Sequence, residues 1–227
     1  MLRRSVILVG AFALCGVIGA SAQAAGSIRL GPRLGYDTYA KETGIKKGAL
    51  VGLDATYFAT NHIGFGAYVD FSRVNTDGTY FPVEIAFGED STGIYAASQP
   101  LTVIRYGAQA MAQFSLSSAL EPYVLAGIGA YQIQLDPQVE RDSKSLTELQ
   151  YTVGGGIDFT VASGAAIRFD VRDYIFTNFD RENLYPAAQR FRPTRFPEVV
   201  PEQEPFSGST HNLVFALSFQ FTPGGAR

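Results

Sequence analysis

The chain has 227 residues and a formal net charge of −3 at pH 7, with 24 glycines, 13% aromatic residues and only 17% charged residues. A mildly acidic balance gives no electrostatic basis for binding nucleic acid. The single cysteine, Cys15, excludes an intramolecular disulfide and metal sites built from several thiolates. Abundant glycine and tyrosine with few long charged residues favour strands over helices.

The first 24 residues have the layout of an export signal. Arg3 and Arg4 form a basic start, and an apolar run follows over residues 6–18. Residues 22–24 (AQA) then match the small-x-small pattern of a cleavage site. A signal anchor is the alternative, but the apolar run is short for a bilayer span. We predict a cleaved signal peptide over residues 1–24.

The rest of the chain contains eight segments in which apolar and polar residues alternate. In residues 165–176, for example, Phe169 and Val171 fall on one face of an extended strand. Arg168 and Arg172 fall on the opposite face, because successive side chains of a strand point to opposite sides. Each segment is near or above the ~9–11 residues that a tilted strand needs to cross a bilayer. Strands are predicted at residues 27–39, 48–59, 63–74, 100–115, 121–135, 148–161, 165–177 and 210–221.

The connections between these segments alternate in length. Short turns on one side and long loops on the other are typical of bacterial outer-membrane barrels. The chain is therefore predicted to be all-β, a closed antiparallel up-and-down transmembrane β-barrel of eight strands in one domain over residues 25–227. Short connections fall at residues 61–62, 116–120 and 162–164, and longer ones at residues 40–47, 75–99, 136–147 and 178–209.

The charged side chains of the predicted strands are mostly arginine and aspartate, opposite the apolar face. They suit a narrow interior, since a buried charge must be paired and hydrogen-bonded. A water-soluble barrel or sandwich is the alternative, and it would scatter lysine and glutamate over a solvated face. The predicted lumen charge network consists of Arg29, Arg33, Asp37, Asp54, Asp70, Arg105, Asp158, Arg168, Asp170 and Arg172. The inward face of the strand at residues 121–135 is not assigned, because small apolar residues occupy both of its faces.

The last predicted hairpin has a definite register. If residues 162–164 form a three-residue turn with Gly164 at positive φ, Val161 pairs with Ala165. A shift by two residues would place Asp158 against Asp170, and the two carboxylates would repel each other. The unshifted register pairs Asp158 with Arg168, Gly156 with Asp170, and Gly154 with Arg172.

Aromatic residues cluster near both ends of the predicted strands. Two aromatic belts around an apolar band are typical at the headgroup levels of a membrane. Toward the long loops lie Tyr36, Phe71, Tyr106, Tyr131, Tyr151 and Phe176, and toward the short turns lie Tyr57, Phe114, Tyr123, Phe159, Phe219 and Phe221.

Two stretches resemble recurring motifs of small outer-membrane barrels. They are residues 122–129 (PYVLAGIG), and residues 154–159 (GGGIDF) leading into residues 168–174 (RFDVRDY). The whole chain after the signal is similar in pattern to the superfamily of the OmpA transmembrane domain, OmpX and OmpW. The resemblance implies a bacterial outer-membrane location, contact with outer-membrane lipid and lipopolysaccharide, and insertion by the barrel assembly machinery. The chain departs from the pattern at its end, because residues 222–227 follow the last aromatic residue.

An eight-stranded barrel is just filled by its inward side chains, so no general diffusion pore is expected. No catalytic residue, cofactor or metal is assigned. We expect a non-enzymatic structural or interaction protein whose outer loops bind lipopolysaccharide, another surface ligand or a protein. Aromatic and arginine side chains are favoured at binding surfaces, and loop 178–209 is rich in both. Its candidate binding residues are Phe179, Arg181, Tyr185, Arg190, Phe191, Arg192, Arg195 and Phe196.

Two other functions fit parts of the sequence. Small hydrophobic molecules could pass through a side opening lined by the apolar loop 75–99, as proposed for the OmpW-like group. A lipid-modifying enzyme would need a base, usually histidine, beside a nucleophile. Ser209-Thr210-His211 is the only local candidate for such a pair, and it lacks the His-x-Ser spacing of the deacylases.

Overall fold

The computed structural model describes residues 25–78, 82–86, 92–96, 98–136, 144–184 and 206–223, so the predicted signal lies outside the described residues. In these ranges no helix is long and apolar enough to span a membrane. The strands are β1 (Ile28–Thr38), β2 (Gly48–Phe58), β3 (Ile63–Asn75), β4 (Pro82–Ala86), β5 (Thr92–Ala96), β6 (Pro100–Gln113), β7 (Leu120–Leu135), β8 (Lys144–Ala162), β9 (Ala165–Asp180) and β10 (Ser207–Phe221). A 3-10 turn (Lys41–Thr43) and the helix α1 (Arg181–Leu184) are the helical segments of these ranges.

Eight of the strands close into an antiparallel barrel. The order around the wall is β1, β2, β3, β6, β7, β8, β9 and β10, and β10 pairs back with β1. Closure leaves no unpaired edge in the barrel wall, which a sheet within lipid requires. The prediction of an all-β, closed, up-and-down barrel of eight strands is confirmed.

The connection between β3 and β6 contains a separate hairpin. β4 pairs with β5, with Pro82 opposite Ala96 and Ala86 opposite Thr92. The long connection predicted over residues 75–99 therefore contains a hairpin that the sequence did not indicate. A hairpin outside the barrel wall does not separate lipid from a lumen, so it lacks the alternation by which the barrel strands were identified.

Three barrel strands extend further toward the long loops than predicted. β8 begins at Lys144, β9 ends at Asp180, and β10 begins at Ser207. Outward residues near these ends, such as Thr147 and Ser209, are polar and exposed. The apolar-outside pattern ends where the wall leaves the lipid, so the strand continues beyond the region that the pattern identifies.

The two faces of the wall are arranged oppositely to those of a water-soluble barrel. Phe169 points outward and is 58% exposed, whereas its neighbour Arg168 points inward and is fully buried. Leu34, Phe215 and Leu217 are likewise exposed on the outside. An apolar outer band around a charged interior is the arrangement that lipid requires.

Most of the predicted belt residues lie on the outer wall, but three of them do not. Tyr123, Tyr131 and Phe176 are buried inside the barrel. Tyr123 and Tyr131 belong to β7, the strand whose inward face the sequence left unassigned. Phe176 has the same parity as Arg168 and Arg172, so it faces inward with them. Their assignment to the belts is wrong.

The hairpin of β8 and β9 has the predicted register but a different turn. Asp158 is opposite Arg168, Gly156 opposite Asp170, and Gly154 opposite Arg172, as predicted. The predicted pairing of Val161 with Ala165 is wrong, since Ala162 pairs with Ala165 and a bulge separates Thr160 from Ala162. A two-residue turn plus one extra residue in β8 keeps the same total count as a three-residue turn, so the register of the charged pairs is unchanged. Gly164 has a φ of 76°, as the tight turn requires.

The interior consists of two layers. The half near the short turns holds charged and amide side chains together with a small apolar cluster of Phe58, Met111, Tyr123 and Leu125. The half near the long loops holds a packed apolar cluster, which we call the outer plug. The outer plug includes Tyr39, Ile45, Leu50, Val74, Leu101, Val103, Tyr131, Ile133, Leu135, Leu146, Phe176, Phe179, Leu184 and Val214.

Candidate functional site

All ten residues of the lumen charge network point into the barrel and are at most 5% exposed. Most of the ion pairs join strands that are not neighbours in the wall and therefore cross the lumen, whereas Arg168–Asp158 joins adjacent strands. The contacts fall into three groups along the barrel axis. Together they link β1, β2, β3, β6, β7, β8 and β9 through side chains, in addition to the hydrogen bonds of the wall itself.

The first group lies nearest the short turns and is centred on Asp158. Arg168 donates to both oxygens of Asp158, from Nε at 2.7 Å and from Nη2 at 2.9 Å. Arg29 donates to the same carboxylate from across the lumen at 2.5 Å, and Gln113 adds a bond of 3.2 Å. The Arg168 guanidinium also lies over the Tyr123 ring, 4.6 Å from its centroid. A fork-shaped guanidinium suits such bidentate pairing.

The second group lies in the middle of the barrel and is centred on Arg172. Its Nη2 donates to both oxygens of Asp54, at 3.1 and 3.2 Å, and to Asp170 at 3.1 Å. Its Nη1 donates to Gln109 at 3.1 Å. Arg33 joins the group through Nη1, which is 3.6 Å from Asp54. One guanidinium therefore links three strands.

Arg33 also connects the middle group to a tyrosine. It is paired with Asp70, and it donates to the Tyr174 hydroxyl at 2.7 Å. The Tyr174 hydroxyl in turn donates to Asp70 at 2.8 Å. The three side chains form a closed triangle in which each group is neutralised or hydrogen-bonded, as a buried polar network requires.

The third group lies just below the outer plug. Arg105 donates to both oxygens of Asp37, at 2.9 and 2.6 Å, and Tyr39 donates to the same carboxylate at 3.0 Å. The Arg105 guanidinium lies 4.5 Å from the centroid of the Tyr174 ring. Tyr174 thus contacts both the middle and the upper group.

Two glycines of β8 make the close packing of this interior possible. A Cβ on Gly154 would lie 2.5 Å from the Val171 carbonyl oxygen and 3.1 Å from Arg172 Cγ. A Cβ on Gly156 would lie 2.0 Å from the Phe169 carbonyl oxygen. Such distances are far inside van der Waals contact, so any side chain at these positions would force the wall apart.

The network contains one charge that the sequence prediction omitted. Glu121 of β7 is fully buried, accepts a hydrogen bond of 2.7 Å from Gln113, and lies 3.9 Å from Arg29. It is directly opposite Asp158 in the sheet. The rule that like charges avoid each other across strands argues against this pairing, and only the converging Arg29 and Arg168 make it tolerable. With Glu121, five arginines face six carboxylates.

The tyrosine and glutamine partners were also not predicted as parts of the network. The sequence does contain an indication of their position, because residues an even number of positions apart on a strand face the same side. Each partner stands an even number of positions from a predicted charge on its own strand. The exception is the partner on β7, where no charge was predicted. The omitted partners are Tyr68, Gln109, Gln113, Tyr123, Gln150 and Tyr174.

The outer plug closes the other end of the lumen. Tyr131 and Phe176 stack with their ring centroids 3.9 Å apart and their planes at 10°. The Tyr131 hydroxyl donates to the Thr177 carbonyl at 3.0 Å, so its polar end is satisfied. Phe179 packs above them against Phe206, with their centroids 6.3 Å apart.

Two of the predicted loop-binding residues lie in this closed mouth. Phe179 is on β9 and fully buried, and Arg181 is 8% exposed. Arg181 donates to the Glu42 carbonyl at 3.1 Å, and its guanidinium lies 5.9 Å from the Phe206 ring. Both residues are buried in contacts of the mouth, and Phe179 belongs to a strand and not to a loop as predicted; their role in binding stays a prediction. The other candidates, Tyr185, Arg190, Phe191, Arg192, Arg195 and Phe196, lie outside the described residues.

A lipid-facing barrel wall around a paired charged interior defines the class of small outer-membrane β-barrels. The family model described as "Outer membrane protein beta-barrel domain" matches residues 10–219. The chain belongs to this family, and the protein is located in the bacterial outer membrane. No curated protein matches the chain in sequence.

Solved structures with a similar fold include Neisserial surface protein A, NspA, at 13% identity and a TM-score of 0.54. That match covers 88% of this chain and 98% of NspA. Escherichia coli outer membrane protein W is 17% identical over 88% of this chain and 98% of its own, with a TM-score of 0.40. Yersinia pestis Ail is 13% identical over 86% of this chain and 97% of its own, with a TM-score of 0.41. At these identities the match to NspA supports the shared fold and nothing more specific.

Proposed function

We propose that the protein is a sealed structural and interaction barrel, anchored in the outer membrane, whose long outer loops bind lipopolysaccharide or another surface ligand. The observation that carries this proposal is the lumen charge network, because it fills the interior with mutually bonded side chains. We further propose that residues 1–24 are a cleaved export signal and that residues 25–227 form a single barrel domain.

The network supports a sealed barrel for an energetic reason. Arg33, Arg105, Arg168 and Arg172 are among the largest fully buried side chains of the described residues. Opening a path for ions would separate them from their carboxylates, and breaking one buried pair costs about 3–5 kcal/mol. The outer plug adds a second barrier, since packed apolar side chains fill the lumen at the end near the long loops.

Because a sealed lumen offers no space for a ligand, we place the binding function on the outer loops. The long connections all emerge at the end opposite the chain termini, which is the external side in bacterial barrels. Lys41, Lys46 and Lys47 are exposed in the connection between β1 and β2. The loop over residues 185–205 carries the remaining arginine and aromatic candidates. Both are suited to the phosphates and sugars of lipopolysaccharide.

Single-channel recording in planar bilayers tests the sealed barrel. The folded protein, checked by heat-modifiable gel mobility, is expected to give no stable conductance, while a general porin reconstituted in parallel conducts. Steady openings of the unmodified protein would contradict the proposal.

Two loop variants test the binding role. In the first, a short Gly-Ser linker replaces residues 185–205, and in the second Arg190, Arg192 and Arg195 become glutamine. Both are expected to fold but to lose binding of lipopolysaccharide micelles, measured by co-sedimentation. Unchanged binding by the linker variant would exclude this loop as the binding surface.

A further inference from the structure

One arginine of the barrel wall points away from the lumen. Of the seven arginines in the described residues, five form the lumen charge network and Arg181 lies in the closed mouth. Arg73 of β3 is exposed, and it alternates with Ser72 and Val74, which are buried inside the barrel. A charged side chain on a lipid-facing surface is costly and marks a functional position. Its outward direction indicates a partner outside the barrel.

Lys47, which immediately precedes β2, lies beside Arg73 on the same outer surface. Leu50 of β2 is opposite Ser72 of β3, and this register puts Ala49 next to Arg73 across the sheet. Lys47 is exposed and precedes the exposed Ala49 by two positions, so both face outward. Lys47 and Arg73 are therefore diagonal neighbours, about 7–8 Å apart. Both long side chains can reach one ligand.

The pair lies where the outer wall changes from apolar to polar. Phe71, one outward step from Arg73 toward the short turns, is an exposed aromatic residue of the wall. Asn75, one outward step toward the long loops, is exposed and polar. Each step is about 6.8 Å along the strand. Aromatic residues mark the headgroup level of a membrane, so Arg73 lies just above the acyl chains, at the level of lipid phosphates.

The barrel itself does not neutralise these two cations. Within the described part of the chain, neither Lys47 nor Arg73 takes part in a hydrogen bond or an ion pair. Thr102, directly opposite Arg73 on β6, is short and uncharged, so the guanidinium stays accessible. By contrast, the outward charges of β9 and β10, Asp173 and His211, are bonded to each other at 2.6 Å. The side of the wall formed by β2 and β3 therefore keeps its positive charge for an external anion.

The connection above the pair adds charge of the same sign. Lys41 and Lys46 are exposed there, and the acidic residues of this region are Glu42 and Asp77. Asp77 is held close to the connection, since its amide donates to the Gly44 carbonyl at 2.8 Å. Four cations thus face two acids at this edge, in a chain whose formal net charge is −3. Such a basic cluster at a membrane surface attracts anionic headgroups.

We propose that Lys47 and Arg73 bind a phosphate group of lipid A, the membrane anchor of lipopolysaccharide, in the outer leaflet. The guanidinium donates two parallel hydrogen bonds to the phosphate, and the ammonium adds a point charge to the same group. The phosphate of phosphatidylethanolamine is accompanied by its own ammonium group. The phosphates of lipid A are monoesters without such an internal partner, so the unpaired cations favour lipid A.

This site rests on the proposed lipopolysaccharide-binding role and on the external position of the long loops. It names a contact for that ligand on the barrel wall, separate from the loop over residues 185–205. The loop residues would contact the exposed sugars, whereas Lys47 and Arg73 hold the lipid at the membrane boundary.

Native mass spectrometry of the folded protein in detergent tests the site. The probes, in separate arms at equal concentration, are bisphosphorylated lipid A, lipid A with both phosphates removed, phosphatidylethanolamine and inorganic phosphate. We expect one retained molecule of bisphosphorylated lipid A, and binding of the other three probes that is at least ~10-fold weaker. Equal binding of any of those three would overturn the proposal.

Matched variants locate the bound phosphate. Arg73→Gln and Lys47→Gln are each expected to weaken lipid A binding by about 10-fold. Arg73→Lys should weaken it less than Arg73→Gln, because the charge is kept and only the bidentate geometry is lost. Lys144→Gln, which removes the same charge at the start of β8, is the control and should bind like the unmodified chain. Unchanged binding by Arg73→Gln, or an equal loss in Lys144→Gln, would contradict the site.

The linker variant that lacks residues 185–205 separates this site from binding by the loop. Loss of lipid A in the combined variant Lys47→Gln with Arg73→Gln supports the wall site, with or without a loss in the linker variant. Loss in the linker variant alone would leave the loop proposal standing and overturn the wall site. In vesicles without lipid A, the wall variants should keep the heat-modifiable mobility and the urea midpoint of the unmodified chain, which excludes a folding defect as the cause.

Discussion

Arg168→Ala is the substitution that most sharply tests the lumen charge network. Arg168 is fully buried and donates two hydrogen bonds to Asp158, so its removal leaves that carboxylate in the interior with one arginine fewer. Glu121 lies directly opposite Asp158, and Arg29 alone would then neutralise both acids. The Tyr123 ring would also lose the cation above it.

The size of the effect follows from these contacts. Breaking a buried ion pair by removing one partner costs about 3–5 kcal/mol. Loss of the cation–π contact adds about 1–2 kcal/mol at a desolvated site. These contributions overlap, so we expect the free energy of unfolding to fall by about 3–5 kcal/mol. Replacing both partners, as Arg168→Met with Asp158→Asn, should recover part of the loss, because no unpaired charge of the pair remains.

Urea unfolding in lipid vesicles, followed by heat-modifiable gel mobility, measures this difference. The control is Arg73→Ala, because Arg73 is exposed on the outward face of β3. The loop variant Arg195→Ala serves as a second control. Both are expected to change stability by less than ~0.5 kcal/mol. Equal unfolding midpoints for Arg168→Ala and Arg73→Ala would refute the reasoning.

Two further substitutions examine the packing and the charge balance of the interior. Gly156→Ala should lower the free energy of unfolding by about 1–3 kcal/mol or prevent folding, because its Cβ would press against the Phe169 carbonyl oxygen. Gly208→Ala is the control in the same unfolding assay. It should be tolerated, because its Cβ would be 3.6 Å from the nearest atom. Glu121→Gln should cost less than ~1 kcal/mol, because it removes the excess carboxylate and keeps an amide partner for Gln113, while Asp158→Asn should cost about 3–5 kcal/mol. Equal losses for these two acidic positions would show that charge balance does not govern the interior.

The sequence was sufficient to predict the barrel because two solvents impose a period of two on each strand. Where that contrast weakens, the prediction fails. β7 carries small apolar residues on both faces, so its parity was not assigned and Glu121 was missed. Phe179 was placed in a loop because the outward residues of β9 and β10 become polar above the lipid. Residues inside the outer plug are apolar for ordinary packing reasons, and Tyr131 was therefore mistaken for a belt residue.

Register determined which contacts the sequence could predict. The pairing of Asp158 with Arg168 follows from one turn and a count along two strands. The bonds of Arg29 to Asp158 and of Arg105 to Asp37 cross the lumen between strands that are not neighbours, so they depend on the closure of the whole barrel. The bond between His211 and Asp173 joins residues 38 apart on neighbouring strands whose connection is long, so no count through a tight turn could predict it.

Single-tryptophan fluorescence tests the inside–outside assignment most directly, because the chain contains no tryptophan of its own. Phe169→Trp places the probe on the outer wall and Tyr123→Trp places it under Arg168 in the lumen. In vesicles of brominated lipid, the emission of the tryptophan at position 169 is expected to be strongly quenched, and that at position 123 to be protected from both bromine and iodide. Quenching by lipid at position 123, with aqueous iodide reaching position 169, would contradict the assignment.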